Sequence, residues 1–185
     1  MSAPARDSPG GRDRSGPVRA VRDPALRPAR VEDLPALFRV RASTRQNALS
    51  EADLAARGIT RDSLHAAMAR GDFATWLCEV DGEVVGFCTA DAATGEVGAL
   101  AVQAGFEGRG IGRALLAAAV GFLRAAGCRR PWLMAGADPA LRSHGFYRVQ
   151  GWQATGRVDA RGDEEMRLPA HGAAGTTATP EPGER

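Results

Sequence analysis

Apolar and polar positions change period several times along this chain, and each change marks an element. A short extended run at Ala25–Pro28 leads into Val31–Arg41, where Leu34, Leu37 and Phe38 recur at helical spacing. Ser50–Arg57 predicts a second helix, with Ser50 as N-cap and Gly58 as stop signal. A third starts after Thr60 and runs through Leu64, Ala67 and Met68 to Gly71. The period then shortens. Ala74–Val80 is rich in β-branched and aromatic residues, and Asp81-Gly82 is a strong two-residue hairpin signal. Glu83–Thr89 is the returning strand, and a turn at Thr94-Gly95 leads to a third strand at Glu96–Val102. Three strands joined this way form an antiparallel meander.

Helical spacing returns at Arg113–Gly127, where Leu115, Leu116, Ala119, Phe122, Leu123 and Ala126 share one face. Pro131–Ala135 follows as a strand. A strand–helix–strand unit brings its second strand back parallel to its first. Pro139 is predicted to open a short helix towards Gln150, and Gln153–Thr155 with Glu164–Leu168 a last hairpin.

Composition narrows the class. A length of 185 residues suits one domain, and 44% hydrophobic with 25% charged residues is ordinary for a globule with a core. Residues 1–23 and 170–185 are rich in Pro, Gly and small polar residues and are expected to be disordered tails. The folded unit is therefore expected at 24–169, with no internal repeat. No apolar run is long enough to span a membrane, and the opening residues lack the apolar run of a secretion signal, so export by that route is not expected. Cys78, Cys88 and Cys128 fit neither a disulfide framework nor a zinc spacing. These features predict a reduced, cytoplasmic protein without a metal. Every basic residue is arginine, which fits either codon bias or a preference for phosphate. A net charge of +2 argues against nonspecific nucleic-acid binding.

The segment Phe106-Glu-Gly-Arg-Gly-Ile-Gly112 lies between the third strand and the long helix. Glycines there let several backbone N–H groups converge, and a helix start adds free donors and partial positive charge. The result is an anion site suited to a pyrophosphate, with Arg109 and Arg113 able to add charged contacts. The dinucleotide fingerprint fits worse, since it needs G-x-G-x-x-G after a parallel strand. The nucleoside-triphosphate loop needs a lysine, and the chain has none.

Leu100-Ala-Val102, Glu107-Gly-Arg-Gly-Ile-Gly112 and Phe146-Tyr-Arg-Val-Gln-Gly-Trp152, in this order and spacing, resemble the GNAT superfamily of acetyl-CoA-dependent N-acetyltransferases. The resemblance covers about Ala25 to Leu168. It implies an α/β (α+β) domain whose mixed, mostly antiparallel sheet is flanked by helices and holds a splayed parallel strand pair. Acetyl-CoA would sit in the splay as acyl donor. The backbone of Leu100, Ala101 and Val102 would pair with its pantetheine arm. Gly108, Arg109, Gly110, Ile111, Gly112 and Arg113 would wrap its pyrophosphate. Two positions depart from the family pattern. Glu107 stands where Gln or Arg is usual, and Ala140 replaces an Asn that often contacts the coenzyme. Arg142 or Ser143 could take over that contact.

Acetyl transfer to an amine needs a polarised thioester carbonyl, a neutral amine and a proton for the leaving thiolate. Backbone N–H groups near Leu100–Val102 can serve the first need. Tyr147, the sole tyrosine, stands by resemblance where the family's general acid stands. For the base, Glu96 heads the strand lining the site, with Glu79, Asp91, His65, His144 or a water as alternatives. In the ribosomal-protein alanine acetyltransferase branch a glutamate precedes the tyrosine by twelve positions, where this chain has Ala135. That substitution weighs against a ribosomal-protein acceptor.

In this superfamily the stretch between first helix and first hairpin commonly walls the acceptor. Arg41–Ser50 here resembles a bacterial group with an Arg-x-x-x-x-x-Asn-x-Leu-Ser pattern. Asn47 and Ser50 are the candidate acceptor contacts, with Glu51 and Asp53 nearby and helix capping the plainer role for Ser50. Arg41 and Arg45 suit an acceptor with a carboxylate, and solvated surface arginines are the plainer alternative. The expected reaction is direct transfer to a primary amine of a small molecule or peptide. A non-catalytic acyl-CoA sensor is the alternative, and a homodimer stays open. Neither nucleic acid nor membrane is expected as a partner.

Overall fold

The computed structural model describes residues 24–170. The tails expected at 1–23 and, save for Ala170, at 170–185 lie outside the described residues. Seven strands form one sheet: β1 (Ala25–Pro28), β2 (Phe73–Val80), β3 (Glu83–Asp91), β4 (Glu96–Val102), β5 (Trp132–Gly136), β6 (Gln153–Val158) and β7 (Asp163–Arg167). Their spatial order is β1-β2-β3-β4-β5-β7-β6. All pairings are antiparallel except β4 with β5, which is parallel and registers only Glu96 against Trp132. Five α-helices flank the sheet: α1 (Leu34–Ala42), α2 (Glu51–Ala55), α3 (Arg61–Arg70), α4 (Ile111–Ala125) and α5 (Arg142–Arg148). This is the mixed α/β architecture with a splayed parallel pair that the chain's motifs imply.

Strand alternation sorts the core into two layers. Leu77, Phe87 and Ala101 pack against Leu34, Leu37 and Val40 of α1 on one face. Cys78, Cys88, Val97 and Leu133 pack against Leu115, Ala119 and Leu123 of α4 on the other. Gly86 permits that second contact, because a Cβ there would lie 3.2 Å from Leu115 Cδ1 and 3.1 Å from the Ala101 carbonyl. The closing hairpin runs to Val158, three residues further than the sequence pattern predicts.

The helix expected from Pro139 begins three residues later, at Arg142. Asp138 is the cause. Its Oδ1 accepts from the Ala140 N–H at 2.8 Å and its carbonyl from the Leu141 N–H at 3.0 Å, so a turn consumes that stretch. Among the described residues no helix is long and apolar enough to cross a membrane, and no group of three or more His, Cys, Asp or Glu side chains could hold a metal.

Candidate active site

The splay between β4 and β5 opens into a cavity of about 1230 Å³. Gln103 donates its N–H to Val85 on β3, and Ala99 donates to Thr89 Oγ1 at 2.8 Å. Backbone groups alternate sides along a strand. Ala101 therefore faces β3, while the N–H and C=O groups of Leu100 and Val102 face the gap. Leu100, Ala101 and Val102, the three residues that the resemblance assigns to the pantetheine arm, all line the cavity, and of these Leu100 and Val102 turn their main-chain groups to it. Ala101 contributes by filling the α1 side of the core.

Around Gly98 and Ala99 the β3–β4 register shifts, between Cys88 and Ala90. Two residues of β4 oppose Thr89, which is a β-bulge. A Cβ on Gly98 would lie 2.8 Å from Thr89 Oγ1, so glycine is required for the close approach. A bulge bends its strand, and the pairing of β4 with β5, at Glu96 and Trp132, stops just before this one.

Beyond β4 the chain turns through Gly108 and Gly110, at φ +76° and +82°, into α4. Left-handed backbone of this kind favours glycine. Gly110 caps the helix, and its carbonyl accepts the first intrahelical bond from Ala114. The N–H groups of Ile111, Gly112 and Arg113 are thus left without helical acceptors. Gly108, Gly110, Ile111, Gly112 and Arg113 all line the cavity. Arg109 does not. Its Nη2 donates to the Gly105 carbonyl at 3.2 Å and its guanidinium lies 5.1 Å from the Phe106 ring centroid.

Glu107, the departure at the head of the turn, is tied across the cavity mouth. Its carboxylate forms an ion pair with Arg45, 3.2 Å from Nε, and accepts a hydrogen bond from Arg142. The Arg142 N–H in turn donates to Gln46 Oε1 at 3.0 Å. Three segments distant in sequence are joined by this cluster. Sequence reading missed it because the partners are 35 or more positions apart and no local pattern links them. Arg142 and Ser143, the candidate replacements for the absent Asn, both line the cavity.

Tyr147 lies on α5 and lines the cavity from the α4 side of the sheet. Its ring packs edge-on against Phe146 and Trp152, at centroid distances of 5.1 and 6.1 Å. The next residue, Arg148, clamps α5 to β7 through both carboxylate oxygens of Glu164, at 2.6 and 2.9 Å. Both bonds come from the Arg148 Nη2, while its Nη1 donates to the His144 carbonyl at 2.8 Å. Burial, and secondarily the nearby Cys88 thiol, push the Tyr147 phenol above its ordinary range. It is therefore a protonated donor at neutral pH.

Glu96 also lines the cavity, opposite Asp91 in the β3–β4 register. Burial raises its pKa, and the Asp91 charge adds to the effect. Of the two acceptor candidates, Asn47 lines the cavity at φ +57°. Ser50 is outside the lining. It caps α2, accepting from the Asp53 N–H at 3.1 Å and donating to Asp53 Oδ2 at 2.6 Å. Of the remaining base candidates, Glu79 is held by Arg27 at 2.6 Å, and neither His65 nor His144 lines the cavity.

The splayed sheet, the glycine-rich start of α4 and the buried Tyr147 thus line one cavity. The family model described as Acetyltransferase (GNAT) family matches residues 35–152, and the chain belongs to that family. Solved structures agree on the fold. A PaiA N-acetyltransferase from Thermoplasma acidophilum, in complex with coenzyme A, superposes with a TM-score of 0.67 at 18% identity, covering 80% of this chain and 99% of its own. A putative GNAT acetyltransferase from Desulfovibrio desulfuricans gives 0.65 at 23% identity, covering 80% and 99%. The ribosomal-protein-S18-alanine N-acetyltransferase from Escherichia coli gives 0.61 at 18% identity, covering 85% and 99%. No curated protein sequence matches the chain.

Proposed function

We propose that this protein transfers the acetyl group of acetyl-CoA to the primary amine of a small molecule or peptide, directly and within a ternary complex. One observation carries the reading: the free amides at the start of α4, the open edge of β4 and the Tyr147 side chain all face a single cavity. The diphosphate binds at Gly108–Arg113 and the pantetheine arm lies along Leu100 and Val102. The gap-facing Leu100 N–H, next to the bulge, is the main-chain donor to the thioester carbonyl. Glu96, whose pKa is raised above its ordinary range by burial and the Asp91 charge, accepts a proton from the incoming ammonium when ionised. The neutral amine attacks the carbonyl carbon, a C–N bond forms, and the C–S bond breaks. Tyr147 gives its proton to the departing thiolate, and the proton that the new amide nitrogen sheds restores the phenol.

A covalent enzyme intermediate is not needed. Burial pushes the Cys88 thiol up to about 12 and raises that of Cys78, so neither ionises to a nucleophile near neutral pH. The test is release of free thiol from acetyl-CoA with a panel of amines, comparing wild type with Tyr147→Phe. Amine-dependent release that falls in the variant supports the reading. Coenzyme binding without release from any amine favours an acyl-CoA sensor instead.

A further inference from the structure

The cavity does not end at the thioester. It continues beneath α1, α2 and α3, where Phe38, Leu49 and Leu54 form a small buried cluster with Leu64 packed against it. Set in this apolar wall are two arginines, Arg41 at the end of α1 and Arg57 just after α2. The Arg41 guanidinium is half-buried. It donates to the Asn47 carbonyl and, at 3.5 Å, to Thr44 Oγ1, and neither partner carries charge. Among the described residues no carboxylate lies within 4 Å of Arg41 or Arg57. Of the other arginines that line the cavity, Arg45 and Arg142 share Glu107, Arg161 pairs with Asp159, and Arg113 stands at the start of α4, away from this wall.

Desolvating a cation without a counter-charge is costly. Here burial, with Arg57 close by, weakens the hold of Arg41 on its proton. A guanidinium has five N–H donors in a planar fork that matches a carboxylate. The bonds to Asn47 and Thr44 leave most of them free. The same cavity carries the opposite charge at Glu96 and Asp91. An acceptor that fits this lining has an ammonium for the carboxylates, an anion for the arginines and an apolar body for the wall.

We propose that the acceptor is a free amino acid with an apolar side chain, its carboxylate bound by Arg41 with Arg57 beside it. This rests on the acetyltransferase reading and names its acceptor class. A peptide N-terminus lacks a carboxylate near its amine, and a simple amine lacks one altogether.

The experiment uses protein loaded with coenzyme and three series of probes. These are L-leucine, L-methionine and L-phenylalanine, their amides, and the corresponding decarboxylated amines. Binding is followed by calorimetry and turnover by thiol release, compared through Kd and KM. The amino acids are expected to bind at least about tenfold more tightly than either neutral series, as befits hydrogen bonds to a charged group. Arg41→Gln should raise Kd and KM for the amino acids about tenfold to a hundredfold. It should leave those for the decarboxylated amines and for the coenzyme unchanged. Arg57→Gln, at an exposed position, should move the same constants in the same direction by less. Equal binding of all three series, or an equal loss for all in Arg41→Gln, overturns the proposal. If coenzyme binds and no amine releases thiol, the acetyltransferase reading fails. The arginine site is then judged by calorimetry alone: heat with the amino acids that is lost in Arg41→Gln upholds it, and no heat overturns it.

Discussion

Arg45, on the segment after α1, forms an ion pair with Glu107 at 3.2 Å and so ties that segment to the turn that precedes α4. Arg142 meets the same carboxylate from α5. A negative charge at the head of a diphosphate turn looks counterproductive until the two arginines around it are counted. The local sum of the cluster is one positive charge, with Glu107 holding both guanidinium groups in place.

Neutralising that carboxylate raises the sum to two. Glu107→Gln is expected to tighten coenzyme binding about threefold to tenfold at low ionic strength, as two unit charges interact at such distances in a wet site. The gain should shrink with added salt, because the screening length drops from about 30 Å at 0.01 M to about 8 Å at 0.15 M. Calorimetry at the two salt levels measures this directly. Unchanged affinity at low salt contradicts the placement of Glu107 beside the diphosphate.

Tyr147→Phe removes one oxygen and keeps the ring between Phe146 and Trp152. Amine-dependent thiol release should fall by about 10²–10⁴, the range for loss of a general acid. Coenzyme affinity should stay within error. A parallel fall in both would mark the tyrosine as a packing residue.

Glu96 gives a pH signature. Its pKa is raised in the fold, so the rate should climb as pH rises through that shifted value, and Glu96→Gln should abolish this limb along with most activity. Stability moves the other way. A carboxyl that holds its proton more tightly folded than unfolded contributes fully below its unfolded pKa, and that contribution is lost as pH rises through the folded value. Glu96→Gln should therefore melt at a higher Tm than wild type at pH 7. The two should converge under acid conditions. A lower Tm at pH 7 would mean that the ionised carboxylate is well satisfied.

Thr89 tests the bulge. It is buried, and its hydroxyl is the acceptor for the Ala99 N–H. Thr89→Val keeps the shape and leaves that amide unpaired, at a cost of about 1–3 kcal/mol. Denaturant unfolding should show this loss. Turnover should fall beyond it in fully folded protein, because the displaced bulge re-aims the donors at the thioester. Unaltered stability would show that the bulge is held by something other than Thr89.

Local chemistry made much of this legible from sequence alone. Asp81-Gly82 and Thr94-Gly95 fixed the meander, and the glycines at 108–112 announced the anion turn through their conformational freedom. Alternation alone could not say which side of β4 each amide faces. That depends on the Gln103–Val85 bond and the bulge at Thr89, both of which are cross-strand events. Ser50 illustrates a competition: a serine before a helix can cap or bind, and Asp53 three residues on decided for capping. Arg109 turned from the cavity to Phe106, a choice made by an aromatic neighbour rather than by the glycine pattern. The Glu107 cluster and the exposed-versus-buried fates of Arg45 and Arg41 arise only when α1, α4 and α5 meet.

The decisive measurement is calorimetric titration of acetyl-CoA into wild type and Gly110→Val. The glycine sits at φ +82°, and a Cβ there meets no protein atom within 4 Å. The variant therefore strains the turn and fills the space in which the proposed diphosphate would lie, without colliding with the core. Saturable heat for wild type, with affinity at least about tenfold weaker in a variant that keeps its circular-dichroism spectrum, is the predicted result. No heat with wild type, or equal affinity in both proteins, would contradict the account.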